Sequence, residues 1–470
     1  MMRTPFKAPT LMFLILSIVV LPTLSFANSV SAEDFGPSDW TQYRMNPDNN
    51  PVFHNDFEEQ LNMIIDTNDQ IRSTPVIVGN NVYIGNHNTG DIYSYNLIEE
   101  KMNWQAQAPN WIHSETIYVD DQLFVGYGNR FGGPDGVRGT GESGMLSLDP
   151  ETGEILWNFK TKGEVMPTPA YHDRTVYITT GDDHLYAVDP KDGTEKWKLK
   201  LGHVVSMSSP NIKDGILYVG AGRPTPYTFF AIDLSAQEVL WKTEFNNVYA
   251  GLDDVPPAIY KDDLVITTAL EPSEKGLDYP EHFMYAMDLE TGEVVWKESF
   301  GSGEMVQNNK SGAPMIYKDK IFVGSPITRT FYAYDAKSGE QSWSYESNIN
   351  KAPPVADQDV VYFTDAEGFV YAFNTEDGEL LGKKELGGTL APSGPVLMNN
   401  HLITGSQDSN VYVMPTSEVT GIDEEKNENG QKEGEQETEE TFSTTWIISI
   451  IVGAILAFAL IMYGIRKVKK

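Results

Sequence analysis

The chain has 470 residues, 40% of them hydrophobic, no cysteine and a formal net charge of −33. Without thiols it has no disulfides, no thiol catalysis, no zinc–cysteine site and no lipid attached through cysteine. The charge divides as about +2 over residues 1–27, −8 over 418–440 and +4 over the last five residues, which leaves about −31 on the body. A body this acidic repels nucleic acid and anionic polymers and tolerates cationic partners and divalent ions.

The N-terminus carries the three parts of a secretory signal. Arg3 and Lys7 precede an apolar core from Leu11 to Leu21, Pro22 breaks it, and Ser25-Phe26-Ala27 is a small-x-small cleavage site. The core is short for a membrane span, so residues 1–27 are predicted to be a signal peptide cleaved after Ala27. Residues 28–58 form a lead-in with little apolar periodicity, in which Trp40 and Tyr43 are placed to cover one face of a domain. Glu59 to Asp66 then reads as a strand without a blade of its own.

From Ser73 the chain repeats. Eight units open on short Pro- or Ser-rich segments, at Thr74-Pro75, Ser114-Glu115, Thr168-Pro169, Ser209-Pro210, Pro256-Pro257, Ala313-Pro314, Pro353-Pro354 and Gly394-Pro395. Each opening leads to a β-rich run (NVYIGN, QLFVGY, TVYITT, ILYVGA, LVITTA, KIFVGS, VVYFTD, HLITGS). A third strand then ends near an Asp, and a fourth carries a Trp. Ala187, Asp189, Gly193 and Trp197 set a spacing that recurs at Ser147 to Trp157, Ala286 to Trp296 and Ala333 to Trp343. Ala231, Asp233 and Trp241 keep it with Gln237 in the Gly place. The Asp and Gly are turn chemistry. One indole at a fixed place per unit suits a wedge between units, so Trp104, Trp157, Trp197, Trp241, Trp296 and Trp343 are predicted to pack blades.

Four short antiparallel strands per unit, at a period of about 40–50 residues, describe a propeller blade. The eighth unit lacks its fourth strand, and the orphan strand 59–66 is free to supply it, which removes two exposed sheet edges. The predicted fold is therefore all-β: an eight-bladed β-propeller over 59–417, closed by an N-terminal strand and expected to be monomeric. Residues 418–443 are Glu-rich and read as a disordered linker. The uncharged apolar run Trp446 to Ile465 predicts a transmembrane helix over 444–465. The basic tail 466–470 holds its end in the cytoplasm. The expected topology is single-pass type I in the cell membrane, with the propeller extracytoplasmic.

The Ala-x-Asp-x-x-Thr-Gly-x-x-x-Trp core, clearest at Glu151-Thr152-Gly153 and Glu290-Thr291-Gly292, resembles the pyrroloquinoline-quinone-like propeller repeat. Asp39-Trp40-Thr41-Gln42-Tyr43-Arg44 resembles the lead-in of such proteins, so the resemblance covers about residues 39–417. It implies one of two branches: quinone-dependent alcohol or sugar dehydrogenases, which hold a calcium beside the quinone (PQQ), or non-catalytic propellers of the outer-membrane assembly kind. The adjacent cysteines of many such dehydrogenases are absent, and the chain stands nearer the non-catalytic branch, with no cofactor expected. Under the enzyme alternative, Asp253, Asp254, Asn308 and Asn309 are the calcium candidates.

Long insertions between second and third strands fall in blades two (126–144), four (220–229) and five (269–283). Propeller geometry puts them on one face with the inter-blade connections, which include Trp111, His203, Tyr249 and Lys351. Loops gathered on one rim carry function. Arg130, Phe131, Arg138, Arg223, Tyr227, Asp278, Tyr279 and His282 are the candidate contacts there, because aromatics and arginines suit a protein or cell-envelope partner. The expected function is a binding scaffold on the membrane surface.

Overall fold

The computed structural model describes residues 39–54, 60–133, 136–306 and 310–421. The predicted signal peptide, most of the linker, the apolar span and the basic tail lie outside them. Among the described residues no helix is long and apolar enough to cross a membrane.

Eight sheets follow one another in chain order, seven antiparallel sheets of four strands and one of five whose added edge strand is parallel. The blade of Ala170–His172, Thr175–Thr179, His184–Val188 and Glu195–Lys200 is typical. Its second and third strands are almost wholly buried, while the fourth alternates exposed and half-buried residues. Closure occurs as the sequence predicts. Met63–Asp66 pairs antiparallel with Asn410–Pro415, Met63 opposite Val413 and Asp66 opposite Asn410, and completes blade eight.

The tryptophans hold the joints. The indoles of Trp104, Trp157 and Trp241 donate to the carbonyls of Pro150, Pro190 and Leu289 in the hairpin of the following blade. Trp343 reaches Thr375 in the same way at 3.2 Å. Gly153, Gly193, Gly292, Gly339 and Gly378 lie against an indole of the preceding blade, where an added Cβ would stand closer than 3.0 Å to the ring, and all five have φ between +73° and +75° or, at Gly193, +71°. That explains the Gly of the repeat in two ways at once: only Gly takes this φ without strain, and only a missing Cβ lets the ring lie flat. Blade four departs from the pattern, with Gln237 at φ 60°.

Blade seven has Gly382 where the Trp should stand. The short helix Ser417–Thr420 fills the space, its Val419 buried against that blade. Ordered structure thus continues four residues past the expected end of the propeller at 417.

The lead-in is part of the ring. Its atoms accept from the same backbone N–H, the second residue of the innermost strand, in seven successive blades. Tyr118 and Tyr171 donate to the Trp40 and Thr41 carbonyls. Ile212 donates to Gln42 Oε1 at 2.8 Å. Ile259 and Ile316 donate to the Pro47 and Asp48 carbonyls, Ala356 to Asn50 Oδ1 and Leu397 to the Pro51 carbonyl. Val52–Phe53 also adds a short parallel strand to Val396–Met398. This arc closes one end of the axial channel.

Candidate functional site

Arg44 centres the closed end. It is fully buried. Its Nη2 donates to the carbonyls of Pro354 (2.7 Å) and Pro395 (2.9 Å), and its Nε to Asn49 O. The Asn49 side chain donates to Pro257 and Pro314. Four blade-opening prolines therefore present carbonyls to two side chains of the lead-in. The Arg44 backbone N–H donates to Glu115 Oε2 at 2.9 Å. Burial raises the Glu115 carboxyl, against the pull of Arg44.

Five residues back along the same inner segments, the channel is open. The residue three before each opening proline, or before Thr116 in blade two, comes to the axis: Arg72, His113, Met166, Met207, Asp254, Ser311, Lys351 and Pro392. All eight line a small cavity over the plug, whose floor includes Tyr43 and Glu115. Seven of the eight, all but Ser311, also line a larger funnel of about 520 Å³. This waist is a regular register of the repeat, and aligning the opening segments would have located it.

The funnel wall is built by the insertions of blades two and four. Arg130, Arg138, Arg223 and Tyr227 all line it, together with Val204, Asp253 and Lys310. Arg138 is fixed by its backbone N–H to Gly181 O, by an ion pair with the buried Glu164 at 2.8 Å and by a bond to Ser206 Oγ. Burial raises the Glu164 carboxyl. Desolvation, then Asp254, raises Asp253 to about 6, while Arg138 and Lys310 oppose the shift. Near the rim His87 lies 4.5 Å from both Trp111 and His113, and Trp111 lies 5.1 Å from Phe131, ring centre to ring centre. Burial and the Arg72 charge lower His87 to about 4.

The remaining predicted residues separate. Phe131 is 53% exposed at the rim. Blade five does not form an irregular loop: its insertion continues the hairpin as Leu264–Ser273 and Gly276–Asp288, paired out to Ser273 opposite Gly276. Asp278 is exposed on it, and Tyr279 lies under the Lys275 ammonium at 4.1 Å. His282 is a correction to the partner-face set. The pleat turns it inward, fully buried, with Nδ1 2.8 Å from Ser325 Oγ and Nε2 2.7 Å from Ser311 Oγ. Burial alone lowers its pKa to about 3.

Of the calcium candidates, Asn308 and Asn309 lie outside the described residues. Asp254 is held by Lys351 Nζ at 2.6 Å. Among the described residues no group of three or more His, Asp or Glu is placed to hold a metal. Calcium needs converging oxygen ligands. With an ammonium on the Asp254 carboxylate and two further cations bearing on Asp253, these two carboxylates do not fit that ion as placed, and no step through a calcium-bound quinone follows from them.

Comparison with known proteins gives the same architecture with two kinds of relative. A tetrathionate hydrolase of Acidithiobacillus ferrooxidans is 27% identical over 57% of this chain, and the matched stretch spans 54% of its own length. The outer membrane protein assembly factor BamB of Burkholderia pseudomallei is 23% identical over 72% of this chain and 83% of its own. Among solved structures, BamB of Moraxella catarrhalis superposes with a TM-score of 0.56 at 17% identity, covering 76% of this chain and 99% of that one. The quinohemoprotein alcohol dehydrogenase of Comamonas testosteroni gives 0.59 at 13%, covering 80% of each. At these identities both superpositions speak for the fold alone. The family model described as outer membrane protein assembly factor BamB matches residues 132–247 and 281–445, more than half of the chain, and the chain belongs to that family.

Proposed function

We propose that this chain is a membrane-anchored, extracytoplasmic propeller that binds a protein or cell-envelope component through its loop-rich face, without catalysis. The observation that carries the reading is the make-up of that face. Phe131 and Leu277, 53% and 54% exposed, stand on the insertions of blades two and five. Exposed Arg130 and Arg223 accompany them. Aromatic and aliphatic anchors with guanidinium groups are what protein interfaces use. Family membership supports the same reading, and the uncharged run 446–465 followed by four basic residues supports the anchor.

A photo-crosslinking residue placed at 131 or 277 in the full chain, in native membranes, tests it. The same adduct from both sites, and none from a probe at exposed Leu240 on an outer strand, is the expected result. Failure to recover a reproducible adduct from either site would sink the scaffold reading. Fractionation that leaves the chain soluble would remove the anchor.

A second reading, catalysis in the funnel, is favoured by one observation: half-buried Asp253 lines a cavity of enzyme-pocket size, where desolvation and Asp254 push its carboxyl up to about 6. Dye reduction with alcohols or sugars, or consumption of tetrathionate, by the purified full chain would establish it.

A further inference from the structure

The funnel has the opposite sign to the molecule around it. On a chain of net charge −33, Arg72, Arg130, Arg138, Arg223, Lys310 and Lys351 line one cavity against Asp253 and Asp254. Counting Glu164 behind Arg138 as a third carboxylate, six cations face three acids among the described residues, an excess of three positive charges there. The cations come from five different blades, so local patterning along one strand does not account for them. They are also distributed unevenly about the axis. At the waist, Arg72 and Lys351 flank Pro392 on one arc and Met166 and Met207 stand across from them, while higher in the funnel Arg223 rises on the Met207 side, its carbonyl accepting from Val204 N–H.

Charges of one sign in a concave, low-dielectric wall focus their field and gather counter-ions at the mouth. A volume of about 520 Å³ is that of a small-molecule site. The acidic exterior repels any long polyanion, so the ligand has to be small enough to enter the funnel whole. We propose that the funnel binds a small molecule that carries two or more anionic groups on an apolar core, its charges on Arg72, Lys310 and Arg223 around the wall and its core against Met166 and Met207. This site shares Arg130 and Arg223 with the partner-binding reading of the rim, but its test reads small-anion binding and not a protein adduct, so either reading can fail without the other.

Calorimetric titration of the purified full chain at low ionic strength tests the proposal, with sulfate, citrate and 1,5-naphthalenedisulfonate as probes and chloride as the monoanion control. Saturable one-to-one binding is expected for citrate and the naphthalene dianion, with the aromatic probe tighter than sulfate. The double variant Arg223→Gln/Lys310→Gln should weaken it at least tenfold, about 1.4 kcal/mol. Lys200→Gln/Lys242→Gln removes the same charge from outer strands and should leave it unchanged. The site is refuted if no probe binds up to ~10 mM, if the funnel variant binds like the parent, or if the outer-strand variant loses as much. Should the funnel variant fail to fold, arginine labelling of the parent chain with phenylglyoxal decides. Citrate should protect Arg72 and Arg223, and labelling unchanged by citrate overturns the proposal.

Discussion

The two ends of the axial channel are made from the same inner segments, five residues apart, and they are opposites. At the closed end a buried guanidinium finds carbonyl acceptors from two blades and its own loop, and the lead-in satisfies one N–H per blade around most of the ring. At the open end guanidinium and ammonium groups surround an empty volume. Buried polar groups are stabilising only when their partners are present. The closed end therefore holds the ring together, whereas the open end pairs Arg138 with Glu164 and Lys351 with Asp254 and turns its remaining lining towards the funnel.

Substitutions should separate the two ends sharply. Arg44→Ala removes the hub of the closed end and strands the proline carbonyls and Glu115, so a loss of about 4 kcal/mol is expected in denaturant unfolding. An effect under ~1 kcal/mol there would erase the distinction. The next largest effect comes through pH, from His282, buried behind the waist residue Ser311. His282 is neutral when folded, its pKa lowered from 6.5 to about 3. The unfolded chain binds the extra proton between those values. The contribution of His282 is thus fully present above pH 6.5 and lost as pH falls towards 3, by up to roughly 4 kcal/mol. His282→Gln should flatten the melting-temperature profile in that window, and an identical profile would contradict the burial of this ring. Between the ends, Gly193→Ala combines a φ of +71° with a Cβ pressed on Trp157 and should cost about 2 kcal/mol. Arg223→Gln, at the exposed open end, should change stability by less than ~0.5 kcal/mol. A larger loss would mean that this cation serves the fold.

The sequence reads differently at the two ends as well. Blade number and closure by the strand around Met63 were legible because an opening and strand pattern repeats eight times and one strand is missing at the end, and the Trp–Gly joints because their spacing recurs in most blades. The plug was half legible. Trp40 and Tyr43 promised a covering role, but the acceptors of Arg44 are backbone carbonyls more than 300 residues away, and no side-chain pattern announces them. The funnel was the least legible. Arg130, Arg138, Arg223 and Tyr227 were singled out for a partner, and the structure brings all four into one cavity. Net charge had suggested an affinity for cations, because it averages over a surface that the axis does not share. His282 was misplaced because the insertion that carries it keeps its pleat and alternates faces, so the residue points inward.

The lead-in also imposes an order of events during synthesis. Residues 40–53 are made early, but they pair with every inner strand from blade two to blade eight, and Met63–Asp66 waits for Asn410–Pro415. Closing contacts that span some 350 residues come late in folding. Until the last blade leaves the ribosome, the ring has an open seam with two unpaired strand edges, a state prone to aggregation. Completion of the final blade therefore ends the vulnerable period, and a chain truncated before Asn410 is expected to remain a substrate for chaperones and proteases.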